Sequence, residues 1–139
     1  MNNQEISIII ADSDCELIAR QLTAANTRTG MRDLDKVSDG ESAIESIKKY
    51  QPDVVLLDIC LPVLDGLGVM EQIRESGECP DTLFVIVTSV GSQRLIRCAF
   101  ELGASFYVLK PYNSEQLIAR IHQIYNRRKE VQTEISKDL

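Results

Sequence analysis

Val54-Val55-Leu56-Leu57-Asp58 sets four consecutive aliphatic residues against a carboxylate, and its reading decides the fold. A strand that is apolar at every position has both faces covered, which places it inside a parallel sheet between layers of helix. Two other stretches read the same way. Ser7-Ile8-Ile9-Ile10-Ala11 stops at Asp12-Ser13-Asp14, and Leu83-Phe84-Val85-Ile86-Val87 stops at Thr88-Ser89. Met31 to Val37 is a weaker, polar strand expected at a sheet edge. Ser105 to Leu109 is a last strand running into Lys110-Pro111.

Between these runs the apolar spacing turns helical. Glu16 to Asn26 carries Leu17, Ile18, Leu22 and Ala25 on one side, with Ser13 or Asp14 as the expected cap. Ser42 to Tyr50 ends before Pro52, Leu67 to Glu75 follows, and Arg94 to Leu102 closes at Gly103, with Thr88 or Ser89 able to cap it. Ser114 to about Arg128 has Leu117, Ile118, Ile121, Ile124 and Tyr125 on its apolar stripe. Five strands alternating with five helices mean a parallel α/β sandwich. Residues 1–128 form its single domain, and the polar residues 129–139 are a helix extension or linker stub.

The chain has 139 residues, 15 Lys and Arg against 21 Asp and Glu, and a net charge of −6. That balance argues against direct nucleic-acid binding, which needs a positive face. The apolar runs fall far below the ~18 residues of a membrane span, and the start lacks the basic and apolar regions of a signal peptide. Cys15, Cys60, Cys79 and Cys98 form no C-x-x-C pair, and with one histidine a zinc site is not expected. Free thiols fit a reducing compartment, so a cytoplasmic location is expected, with no membrane partner.

In a parallel sheet the C-terminal strand ends share one edge, where function sits. Those ends carry Asp12, Ser13 and Asp14, then Asp58, Thr88 and Lys110. Gathered carboxylates repel one another and need a cation to stay ionised. Oxygen-only ligands select a hard ion, Mg²⁺ above all. A lysine and a threonine hydroxyl beside it suit the oxygens of a phosphoryl group. The residues alone therefore point to a carboxylate and metal site for phosphoryl chemistry.

The spacing of these residues resembles the receiver domain of two-component response regulators over about residues 6–127. Asp58, Pro62 and Gly66 form D-x-x-x-P-x-x-x-G, Thr88 follows Asp58 by thirty residues, and Lys110-Pro111 follows it by fifty-two. Within that family, Gly103 to Tyr112 and Leu64-Asp65-Gly66-Leu67 look most like receivers of the sporulation-initiation type. The resemblance implies a flavodoxin-like (βα)5 fold with strand order 2-1-3-4-5. It implies that Asp58 takes a phosphoryl group from a phosphohistidine on a sensor histidine kinase or phosphotransfer protein. Mg²⁺ would be held by Asp58, the Cys60 main-chain carbonyl and Asp12. Thr88 and Lys110 would bind the phosphoryl oxygens, and Tyr107 would be the aromatic switch. The output would be a changed helix4–strand5–helix5 face, read for transcription control, with a homodimer on phosphorylation as one form of it. Such a domain catalyses only its own phosphorylation and dephosphorylation. Lys110 is accordingly expected to couple the switch rather than hold the fold.

One position departs from the family pattern. Ser13 stands where receivers carry a second, metal-ligating acid, and Asp14 is one residue further on. Asp14 reads as a helix cap before it reads as a metal ligand. The alternative function is a degenerate receiver, a phosphorylation-independent interaction module whose Mg²⁺ site is lost through Ser13. His122 is expected on the solvated side of the last helix, Gly66-Leu67-Gly68 as a turn, and Arg127-Arg128-Lys129 as compensation of a helix end.

Overall fold

The computed structural model describes residues 5–25 and 30–137. Five strands, β1 (Ile6–Ala11), β2 (Met31–Val37), β3 (Val54–Leu57), β4 (Leu83–Thr88) and β5 (Ala104–Leu109), alternate with five helices. The helices are α1 (Cys15–Ala24), α2 (Gly40–Tyr50), α3 (Gly66–Ser76), α4 (Gln93–Glu101) and α5 (Ser114–Lys137). Every strand pair is parallel, and the order is β2-β1-β3-β4-β5. β2 is an edge strand, as its polarity requires.

The aliphatic run of β3 divides between two cores. Val55 and Leu57 face one cluster with Ile47, Met70 and Ala99 of α2, α3 and α4. Val54 and Leu56 face the other with Ile18, Leu22, Ile118 and Ile121 of α1 and α5. Side chains alternate along a strand, so only a run without polar residues can serve both layers. Burying such a side chain contributes roughly 1.5–3 kcal/mol.

Short polar residues start the helices. Asp39 accepts from the Ser42 N–H, Asp65 from the Gly68 N–H and Ser92 from the Leu95 N–H. Ser92, rather than Thr88 or Ser89, therefore caps α4. Gly66-Leu67-Gly68 is the first turn of α3 and not a separate turn. At α1 the expected capping is also different: Asp14 occupies the N-cap position but makes no side-chain cap bond. Asp12 Oδ1 instead accepts the Asp14 N–H at 2.8 Å, because Asp12 is turned inward.

α5 is longer than its apolar stripe. It continues to Lys137, past the expected end near Arg128. Arg128 donates to the Pro80 carbonyl and pairs with Asp81, and Gln132 also reaches Asp81. The basic run is thus mid-helix, with Arg128 holding the α3–β4 loop rather than compensating a helix end. Among the described residues no helix is long and apolar enough to cross a membrane.

Candidate functional site

The sheet fixes the backbone just beyond three strands. Asp12 N–H donates to Val37, Asp58 N–H to Ala11 and Lys110 N–H to Thr88, each to a carbonyl within 3.0 Å. Asp12 and Asp58 are thereby set side by side at the C-terminal edge. Gly66 completes the β3–α3 loop: a Cβ there would lie 2.4 Å from the Asp58 carbonyl oxygen, so the loop closes only without a side chain. Lys110-Pro111 is a cis peptide.

The side chains converge as well. Lys110 Nζ donates to Asp12 Oδ2 at 2.7 Å and to Asp58 Oδ2 at 2.9 Å. Asp58 Oδ1 accepts from the Thr88 hydroxyl at 2.6 Å and from the Cys60 N–H at 2.9 Å. Asp12 is 3% exposed, Asp58 5% and Thr88 0%. Burial pushes the Asp58 carboxyl upward, but the bonds from Thr88, Lys110 and Cys60 together outweigh it and hold the group below 3.8. Burial likewise opposes the Lys110 charge, and Asp12 and Asp58 overcome it, raising the ammonium above 10.5. Asp58 is ionised at neutral pH, the form a nucleophile requires.

Two carboxylates and one ammonium leave this centre one negative charge in excess. Asp12 and Asp58 supply oxygen donors only. Mg²⁺ is held through one or two carboxylates while keeping several waters, so this donor set fits it. Asp14 is not brought to the pair. Its N–H is spent on Asp12, and the exposed residue lines a cleft with Leu17, Gln21, Tyr112 and Lys110. Among the described residues no three His, Cys, Asp or Glu side chains gather as a metal cluster. Ser13 is exposed.

Tyr107 connects to the same centre through the β4–α4 loop. Its hydroxyl donates to the Val90 carbonyl, while the Val90 N–H lies 3.5 Å from Thr88 Oγ1. Burial raises the Tyr107 hydroxyl above its ordinary range, which keeps it a donor. Asp58, Thr88, Val90 and Tyr107 thus form a continuous series. His122 is half-buried on α5 beside Gly30, away from the centre. The Cys60 N–H and the Val90 carbonyl escape sequence reading, because every non-proline residue offers both groups.

A doubly wound parallel sheet of this order, with its acids, hydroxyl and lysine on one edge, is the flavodoxin-like fold of CheY-like proteins. It is similar to a CheY-like receiver from Methanospirillum hungatei JF-1, with a TM-score of 0.80 at 20% identity over 91% of this chain and 98% of that one. It is also similar to a DNA-binding response regulator of the LuxR family from Staphylococcus aureus, with a TM-score of 0.77 and 28% identity over 86% and 98%. A third likeness is to the CheX–CheY–BeF3–Mg complex from Borrelia burgdorferi, with a TM-score of 0.77 and 24% identity over 88% and 90%. The sequence matches the response regulator receiver domain over residues 8–122, and the chain belongs to that family. It is a signalling module rather than an enzyme acting on a separate substrate. These likenesses carry the family and not the narrower sporulation-type subdivision.

Proposed function

We propose that Asp58 accepts a phosphoryl group from a phosphohistidine on a sensor kinase or phosphotransfer protein. The observation that supports this best is a buried, ionised carboxylate held between the Thr88 hydroxyl and the Lys110 ammonium. An Asp58 oxygen forms the new P–O bond, the P–N bond breaks, and the imidazole leaves with the bonding pair. The Thr88 hydroxyl and Lys110 then turn from the carboxylate to the phosphoryl oxygens, stabilising their charge. Mg²⁺, held by Asp12, Asp58 and the Cys60 carbonyl, would supply further neutralisation of the transferring group. Displacing Thr88 disturbs Val90, and Val90 holds Tyr107, so the state of Asp58 reaches the α4–β5–α5 face. The DNA-binding relative supports an output in transcription control, with homodimer formation as one route.

Intact-mass measurement after acetyl phosphate and Mg²⁺ treatment tests this. One added phosphoryl group is expected, absent in Asp58→Asn; label retained in that variant overturns the assignment. A second reading, the phosphorylation-independent interaction module, draws support from Ser13 and from the lack, among the described residues, of a third carboxylate gathered with Asp12 and Asp58. It requires no label under the same conditions.

A further inference from the structure

Asp39 is the N-cap of α2, and Gly40 is the buried first residue of that helix. Capping accounts for Asp39, whose carboxylate takes the Ser42 N–H and hydroxyl. It does not account for Gly40. Glycine is a poor helix former, and no positive φ calls for it here.

The reason lies in the β3–α3 loop. The Gly40 N–H donates to the Pro62 carbonyl at 3.1 Å, and the Leu64 N–H donates to the same oxygen at 2.8 Å. A Cβ at Gly40 would lie 1.9 Å from the Leu64 carbonyl oxygen and 2.7 Å from its carbonyl carbon. Both obstacles are backbone, so no change of rotamer relieves them. One added methyl group must drive the start of α2 and residues 62–64 apart by about 1 Å.

Val63 stands between the two carbonyls that meet Gly40. Its φ of 72° is unfavourable for a β-branched residue, and at 74% exposure its own contacts do not hold it there. Such strain persists only where the surroundings over-determine the backbone. Here the surroundings are the start of α2. Two residues before Pro62, the Cys60 N–H donates to Asp58 Oδ1 at 2.9 Å. The Leu61 and Gly66 N–H groups both close on the Ile59 carbonyl, at 3.0 and 2.9 Å. The loop is thus tied to itself at Ile59 and to a different helix at Gly40.

We infer that Gly40 is a positioning residue for phosphoryl transfer. It sets the apex of the β3–α3 loop, and through the loop it places the Cys60 N–H that orients the Asp58 carboxylate. The inference deepens the phosphoacceptor reading and rests on it for the reaction. A misplacement of about 1 Å remote from the reacting atoms can slow a reaction by up to ~100-fold.

The test compares Gly40→Ala with Ile47→Val, which trims a buried side chain two turns further along α2. Acetyl phosphate with Mg²⁺ should label Gly40→Ala about tenfold more slowly than the wild type, per folded molecule as counted from urea curves. In ¹⁵N NMR its Cys60 amide should shift and lose protection from hydrogen exchange. Ile47→Val should match the wild type on both counts. Where Gly40→Ala does not fold, an ester in place of the Asp39–Gly40 amide, made by ligation, removes the N–H without adding bulk. It should move the Cys60 amide and slow labelling in the same direction. Labelling at the wild-type rate, an unmoved Cys60 amide, or equal effects from Ile47→Val overturn the inference. A wild type that takes no label sinks the phosphoacceptor reading, and the Cys60 amide still decides whether Gly40 places the loop. A labelled wild type with an unmoved Cys60 amide in the variant sinks this inference alone.

Discussion

The Thr88 hydroxyl donates to Asp58 Oδ1 across 2.6 Å, and the same oxygen takes the Cys60 N–H. A hydrogen bond to a buried charged group contributes about 1.5–3 kcal/mol. Thr88→Val keeps the shape and removes the donor, so it should destabilise the chain by about 2 kcal/mol in urea at pH 7. Thr88→Ser should restore most of the loss. An NMR titration of the Asp58 carboxyl should move toward its ordinary value in the valine variant and stay low in the serine one.

Lys110 bridges two buried carboxylates, which alters its expected role. Removing it leaves Asp12 and Asp58 repelling each other with no cation between them. Lys110→Ala should therefore destabilise the fold, by about 1–3 kcal/mol once the partial exposure of the lysine is allowed for. Adding Asp12→Asn should recover much of the stability. A single variant as stable as the wild type would restore the pure coupling role.

The two shifts act at opposite ends of the pH scale. Asp58 is held below 3.8, so its contribution is present above that value and is lost as pH falls through the folded-state value. Lys110 is held above 10.5, so its contribution is present below that value and is lost as pH rises through the folded-state value. The stability difference between wild type and Asp58→Asn should be flat from about pH 5 to 9 and shift against the wild type below about pH 4. Urea midpoints across that range measure it.

Val63 is 74% exposed and adopts φ 72°, a left-handed conformation unfavourable for a β-branched residue. It gives up no buried contact on replacement. Val63→Asn should raise stability by about 1 kcal/mol, read as an increased urea midpoint at unchanged slope.

Ser13→Asp tests the metal site. A third carboxylate should tighten Mg²⁺ binding about tenfold and speed labelling of Asp58, while lowering the stability of the metal-free chain. Calorimetric titration of the two proteins compares them. Equal affinities would mean that Asp14 already serves the ion, against its placement in the α1 cleft.

β3 was legible because four aliphatic residues in a row admit one environment, and Asp58 followed as the residue that ends the run. Asp12, Thr88 and Lys110 were legible for the same reason. The α1 cap was not: Asp12, Ser13 and Asp14 are all capping residue types, and only the inward turn of Asp12 decides among them. For residues 129–139 the sequence left a helix extension and a linker stub open, and α5 continues to Lys137. Lys129-Glu130-Val131-Gln132 is polar enough for a linker, yet Lys, Glu and Gln are good helix formers. Their hold on the fold comes from Arg128 and Gln132 meeting Asp81, a loop residue far away in sequence.

That attachment adds a far anchor to a helix already seated on the sheet through Leu117, Ile118 and Ile121. At one end Asn113 Oδ1 accepts the Gln116 N–H, beside the strand that delivers Lys110; at the other, Arg128 rests on the α3–β4 loop across the sheet. The span between them is about 22 Å at 1.5 Å per residue. A displacement of about 2 Å at the first support tilts an unbroken helix by about 5° over that length. Leu117, Ile118 and Ile121 seat the same span on the sheet, so such a tilt has to repack that core.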